Sequence, residues 1–221
     1  MKDLTLLIPA KKEKESLPSV LNELKKFDLK ILIVLEEEDV ETINSIKDFN
    51  CEILTQNHKG YGSALIQGID YISTKYFCIF NADGSFDPSE LKSMYSLAEV
   101  EKFDLVFGSR YEDGAGSEDD TFVTYVGNKI FSLLGKIFFS LPITDILYTF
   151  VLGNTEKVKK LNLDKKDFSF CIELPIKARK AALKLTTNVS YERKRIGGLK
   201  KVSAFKDGLK ILLSMISLYF I

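Results

Sequence analysis

Phe80-Asn81-Ala82-Asp83-Gly84-Ser85-Phe86-Asp87-Pro88 stands at a change of pattern. It closes the apolar block Tyr76 to Phe80, which has strand character, and it opens a helix at Asp87-Pro88. Asp before Pro at the first helical position is a common helix start. Asn81 to Ser85 therefore lie on a strand-to-helix loop, the place where open parallel sheets bind ligands. Asp83, with Asn81 two residues before it and Asp87 four after, offers hard oxygen donors suited to a magnesium or manganese ion held against a diphosphate. Asp87 is read as the helix cap and Asp83 as the functional carboxylate.

Working outward, apolar blocks alternate with amphipathic ones. Strands are expected over residues 4–8, 30–35, 52–55, 76–80 and 104–107, and helices over 16–27, 40–49, 62–73 and 89–100. In the first helix Leu17, Val20, Leu21 and Leu24 recur on one face. Strands separated by helix-length segments imply right-handed crossovers and a mostly parallel, twisted sheet covered on both faces, the α/β class. Beyond Ser109 the rhythm changes. Residues 111–120 form a polar loop rich in Gly, Ser and acid, long enough to be a mobile flap over a strand end. A helix over 122–141 follows, with an apolar stripe broader than one packing face requires, ended by Pro142. Its width suits either core packing or a lipid or membrane surface. Residues 145–153 read as a strand, 173–182 as a helix and 185–191 as a last strand.

Composition bounds the function. The 221 residues are 45% hydrophobic and 28% charged, enough for one sizeable core. Lys plus Arg and Asp plus Glu number 31 each, so net charge gives no indication of nucleic acid, and an electrostatic partner must be met by a local patch. Cys51, Cys78 and Cys171 lie far apart without metal-ligand spacing, which points to buried thiols in a reducing compartment and away from zinc. The opening apolar run is too short for a signal peptide, and no stretch reaches the ~20 apolar residues of a membrane span, so a cytoplasmic location is expected.

Two more constellations bear on ligands. Asn57 to Leu65 (NHKGYGSAL) puts Gly60 and Gly62 where the chain turns into a helix, and glycines there allow close backbone approach to a phosphate or sugar. The third glycine of a dinucleotide fingerprint is missing, which argues against nicotinamide binding. His58 reads as a surface residue. Tyr191 to Lys201 (YERKRIGGLKK) sets Arg193, Lys194, Arg195, Lys200 and Lys201 around Gly197-Gly198. This is either a solvated face or a flexible loop whose cations close over phosphate oxygens.

Together these motifs resemble the family 2 glycosyltransferases of the dolichyl-phosphate mannose synthase type. IPAKKEKESL is similar to that family's opening I-P-x-x-N-E-x-x-x-L at Pro9, Glu13 and Leu17, with Lys12 at the usual Asn. NHKGYGSALIQGI matches N-x-G-x-G-x-A-x-x-x-G-I at Gly60, Gly62, Ala64, Gly68 and Ile69. FNADGSFDP resembles the metal-binding D-A-D-x-x-x-x-P, and Asp104 to Tyr111 the D-x-V-x-G-S-R-Y that follows it. Asn128 and Asp145 fall at the later Asn and T-D positions, and Arg195 to Lys200 resembles R-x-G-x-S-K. The resemblance implies a GT-A fold, a nucleotide-sugar donor, inversion at the anomeric carbon and a Mg2+ or Mn2+ cofactor. It implies donor contacts from Pro9, Ala10, Glu13, Glu36, Gly60, Gly62, Asn81, Ala82, Asp83 and Arg110. Metal ligation is carried over to Asp83, Asn81 and Ser85, and catalysis to Asp83, Arg195, Lys200 and Asp145. Asp145 is named as the base for a hydroxyl acceptor, with a structural role as acceptor of backbone amides as its alternative. The implied acceptor is a polyprenyl phosphate or a cell-envelope glycan precursor.

The sequence departs from the pattern at four places. Asn81 stands at the first Asp of the metal motif, and VLEEEDVET replaces the acidic V-D-D-x-S-x-D after the second strand, leaving Glu36 or Asp39 to meet the base. Tyr148-Thr149-Phe150-Val151 occupies the place of S-G-F-R, and Leu199 that of the Ser in the last motif. Two other classes stay open: a weakly active or inactive glycosyltransferase-like protein that binds nucleotide or lipid for a partner, and a nucleotidyltransferase.

A single transferase domain is expected over residues 1–202, with an amphipathic helix over 203–221. In that tail Phe205, Leu209, Leu212, Leu213, Ile216, Tyr219 and Phe220 recur at helical spacing, and Lys200, Lys201, Lys206 and Lys210 flank them. This is the arrangement of a helix lying on an anionic membrane surface, which would make the protein peripherally membrane-associated. The alternatives are docking on its own domain or pairing with a second subunit.

Overall fold

The computed structural model describes residues 1–197 and 204–220. Seven strands form one sheet: β1 (Leu4–Pro9), β2 (Lys30–Leu35), β3 (Glu52–Thr55), β4 (Tyr76–Ile79), β5 (Leu105–Ser109), β7 (Val151–Asn154) and β8 (Leu185–Val189). Their order is β3-β2-β1-β4-β7-β5-β8, and every pairing is parallel except those of β7, which runs antiparallel between β4 and β5. Only residues 151–154 of the segment expected as a strand from 145 pair with the sheet. Ahead of them Phe150 makes one further bond to β5, accepting from Gly108 N at 2.7 Å, and Asp145 is tied to Arg110.

Period-two alternation sends neighbouring strand residues to opposite faces. Leu7, Leu32, Val34, Phe77, Ile79 and Phe107 face one side, where α3 (Tyr61–Tyr71) and α7 (Phe170–Lys180) cover them. Leu6, Ile8, Ile33, Cys78, Phe80 and Val106 face the other, under α1 (Leu17–Leu24), α2 (Val40–Ile46) and α4 (Leu91–Glu99). The short α6 (Thr155–Lys159) follows β7. This is the mostly parallel α/β architecture that the alternation predicts, made mixed by the antiparallel β7.

Two longer helices complete the first face. α5 (Phe122–Phe139) starts on a capping box at Thr121 and Thr124, and α8 (Ala204–Tyr219) packs against α5 and α7. Ile211, Met215 and Leu218 of α8 are buried in the same core as Leu174 and Ile176. At roughly 1.5–3 kcal/mol for each large apolar side chain buried, those three residues dock the helix on the domain. Its opposite face is exposed at Leu209, Leu213, Ile216 and Tyr219, and α5 exposes Phe122, Ile130, Leu133, Ile137 and Phe138 beside it. Among the described residues no helix is long and apolar enough to cross a membrane.

The loop 111–120 is anchored at its far end. Its Gly116–Ser117 pair (β6) runs parallel to Tyr191–Glu192 (β9), forming a second, two-stranded sheet.

Candidate active site

The order of the sheet reverses at β1, whose neighbours are β2 and β4, and ligand crevices of open α/β sheets form at such a switch point. β1 delivers Pro9 and Ala10 there, and Ala10 N donates to Val34 O at 2.9 Å. β4 delivers the loop from Asn81 to Ser85. A cavity of about 860 Å³ opens at this point, lined by Pro9, Ala10, Glu13, Glu36, Gly60, Asn81, Ala82, Asp83, Arg110 and Arg195 among others. The structure thus brings most of the residues carried over from the resemblance into one cavity. Gly62, Ser85 and Asp145 stand outside its lining, and Lys200 lies outside the described residues, as do Gly198, Leu199 and Lys201.

The loop is built around Asp83. Its Oδ1 accepts from Ser85 N at 3.0 Å and Ser85 Oγ at 2.7 Å, and Gly84 takes a left-handed φ of 83° to make the turn. Asn81 donates its amide nitrogen to Ser85 Oγ at 3.2 Å, so the amide oxygen is the atom it can offer a cation. The strand-like segment after β9 lies across this loop: Arg193 N donates to Ser85 O, and Ile196 N to Asp83 O, both at 2.8 Å. That crossing sets Arg195 over the loop. Its Nη2 lies 3.6 Å from Asp83 Oδ2 and 2.9 Å from Asp119 Oδ2, the latter on the loop 111–120. Burial works against the Arg195 charge, but the bond from Asp119 and the Asp83 carboxylate outweigh it and its pKa rises.

The oxygen donors present suit magnesium or manganese. One loop carboxylate and one amide make a third of an octahedral shell, and the described residues contain no group of three His, Cys, Asp or Glu placed to hold an ion. Such a set fits an ion shared with diphosphate oxygens, the way Mg2+ is usually held. The carboxylate excess points the same way. Of the charged residues on the described lining, Lys11, Arg110 and Arg195 stand against Glu13, Glu36, Asp83, Asp119, Asp120 and Glu192, and a diphosphate entering there needs added positive charge.

Behind the cavity Arg110 is fixed on both sides. Nε and Nη2 donate to Asp145 Oδ2 and Oδ1 at 2.7 and 3.0 Å, Nη1 donates to Glu192 at 2.9 Å, and the guanidinium lies 4.4 Å from the Tyr148 ring centre. Burial raises the Asp145 carboxyl, while Arg110 and its backbone N–H pull it back down. Burial opposes the charge of Arg110 as well, yet Asp145 and Glu192 raise its pKa. With both oxygens in the fork, Asp145 has the geometry of an anchor for Arg110.

Gly60 and Gly62 sit against the protein's own chain. A Cβ on Gly60 (φ 123°) would lie 2.2 Å from Lys166 O, and one on Gly62 would lie 2.1 Å from Lys165 O. The segment that fills this space is held by Glu173, which accepts from Asp164 N and Lys165 N. Beside it the cavity becomes apolar. Tyr61 stacks on Phe168 at 5.0 Å and donates to Thr149 Oγ1 at 2.7 Å, and Leu147, Val126, Ile130, Phe131 and Ile211 complete the wall. Sequence reasoning missed Asp119 and Glu192. The first sits in a loop read as a mobile flap, and the second lies in a run read for its cations alone.

The mostly parallel sheet with its crevice at the switch point is the architecture of the GT-A fold. The family model for glycosyl transferase family 2 matches residues 5–161, and the chain belongs to that family. Relatives include an uncharacterized glycosyltransferase of Mycobacterium tuberculosis, 29% identical over 207 residues, 93% of this chain and 92% of that one. An uncharacterized protein of Methanocaldococcus jannaschii is 24% identical over 227 residues, covering 97% and 93%. Among solved structures, glucosyl-3-phosphoglycerate synthase of Mycobacterium tuberculosis with Mn2+, UDP and phosphoglyceric acid matches with a TM-score of 0.73 at 13% identity. That match covers 99% of this chain and 78% of the synthase. The same synthase with Mn2+ and UDP-glucose gives 0.75 at 14% identity, covering 99% and 79%.

Proposed function

We propose that this family 2 glycosyltransferase inverts the anomeric carbon of a nucleoside-diphosphate sugar and transfers the sugar to a polyprenyl phosphate at a membrane surface. The observation that carries the reading is a single cavity that begins at Asp83 and Arg195 and ends on apolar side chains of α5 and α8. Those helices expose further apolar residues, with Lys129, Lys136, Lys206 and Lys210 at the surface beside them. A chain seated in the apolar wall would leave its phosphate toward the donor, and the cations would meet anionic head groups.

Displacing a nucleoside diphosphate builds negative charge on the leaving oxygen. Arg195 would bind that charge, and Lys200 is assigned the same role. Asp83, with Asn81, would hold a Mg2+ or Mn2+ ion, which supplies charge neutralisation for the leaving group when bound. A phosphate acceptor, whose second pKa is about 6, is already anionic at neutral pH and asks for no general base. Asp145 then keeps Arg110 in place. Pro9, Ala10, Glu36 and Gly60 are assigned to the nucleoside side of the donor. The UDP complexes of the synthase with the same fold support uridine as the first base to test.

One observation favours a second acceptor class. The carboxylates around the cavity outnumber the cations on its described lining, which suits a neutral glycan hydroxyl better than a phosphate. Labelled UDP- and GDP-sugars, incubated with polyprenyl phosphate in anionic vesicles or with soluble glycans, separate the two. Label passing into the organic phase supports the lipid acceptor. Label passing only to glycans overturns it, and transfer to neither with any donor overturns the transferase reading.

A further inference from the structure

Asn81 leaves the metal loop one carboxylate short of a pair. The missing charge is present nearby: Asp83 Oδ2 and Asp119 Oδ2 face the same guanidinium nitrogen of Arg195, at 3.6 and 2.9 Å. Asp119 is held at this point by Ser117: the amides of Asp119 and Asp120 both donate to Ser117 Oγ, and Ser117 is itself paired in β6. Two carboxylates from different loops thus converge on one cation position. A guanidinium nitrogen sits about 3 Å from its oxygens, whereas Mg2+ binds oxygen at about 2.0–2.1 Å with twice the charge. A divalent ion at this position would draw the same two oxygens closer and bind them more strongly.

We propose that Asp119 supplies the second carboxylate of the metal site, beside Asp83 and the amide of Asn81, and that Arg195 is the internal cation holding the pair together until metal and nucleotide enter. This rests on the nucleotide-sugar reading of the cavity. Arg195 then moves from the carboxylates to the diphosphate, so metal and nucleotide bind together and the ion binds weakly alone.

The test is Mn2+ retention by the full-length chain, read from the electron paramagnetic resonance signal of free Mn2+, alone and with UDP or GDP. Wild type should retain Mn2+ with one of the nucleotides. Asp119→Asn should weaken that retention at least tenfold with the thermal unfolding curve unchanged, and Asn81→Asp added to Asp119→Asn should restore it. Arg195→Gln should increase retention in the absence of nucleotide. If wild type retains Mn2+ with neither nucleotide, the nucleotide reading falls and this assignment with it. If wild type retains the ion and Asp119→Asn retains it equally, the assignment alone falls. If Asp119→Asn loses the ion and Asn81→Asp does not restore it, Asp119 acts through Arg195 and the ligand role is overturned. Unchanged nucleotide-free retention in Arg195→Gln overturns the part given to the guanidinium.

Discussion

Arg110 and Asp145 are joined by two parallel hydrogen bonds, 2.7 and 3.0 Å long, with the Asp145 side chain fully buried and that of Arg110 only 8% exposed. A buried ion pair of this kind adds little compared with an apolar pair, but removing Asp145 leaves the buried Arg110 charge with Glu192 alone and its Nε and Nη2 without their acceptor. Asp145→Ala should therefore cost about 3–5 kcal/mol of unfolding free energy. Urea denaturation measures it, and a loss below 1 kcal/mol would show that the fork does not anchor Arg110.

Gly62 is the second sensitive position. Its Cβ space is occupied by the carbonyls of Lys165 and Asp167 and by Phe170, all within 3 Å. Backbone cannot retreat as a flexible side chain can, so Gly62→Ala should destabilise by at least the ~1–3 kcal/mol of an overpacked core. Gly127, with open space around it, provides the control. Equal thermal stability of Gly62→Ala and wild type would contradict the packing role.

The two faces of α8 should respond differently. Met215→Ala removes a buried side chain and should cost about 2–5 kcal/mol, because the helix is docked on α7, where Lys180 Nζ also donates to Leu218 O at 2.6 Å. Leu213→Glu with Ile216→Glu changes only exposed positions. That double variant should keep its stability and lose flotation with anionic liposomes. Flotation equal to wild type would remove the membrane from the account.

Much of this was legible in the residues. The alternation of short apolar blocks with longer amphipathic ones from Leu4 to Phe107 gave away the order of strands and helices, since buried parallel strands are short continuous apolar runs and the helices between them carry one apolar face. The direction of β7 was not legible, because four residues of strand carry no sign of whether they run parallel or antiparallel. Asp83 stood out through its loop, whereas its sharing of Arg195 with Asp119 depends on contacts between segments distant in sequence. The glycines at 60 and 62 signalled a close approach, but not what approaches, and the answer is the segment held by Glu173. Lys12 is informative in another way. It takes φ 55°, a left-handed conformation that Asn tolerates better than Lys, which gives a backbone reason for the Asn usual at that place.

The nucleotide-sugar site itself is tested most directly by thermal unfolding against UDP-, GDP-, dTDP- and CDP-sugars, with and without Mn2+, for wild type and Asp83→Ala. A ligand at a hundred times its Kd stabilises by about 2.7 kcal/mol, which for a chain of this size raises Tm by roughly 5–11 °C. The account predicts a rise of that order for one donor, dependent on Mn2+ and absent in Asp83→Ala. No shift with any donor, or a shift that survives the loss of Asp83, would contradict it.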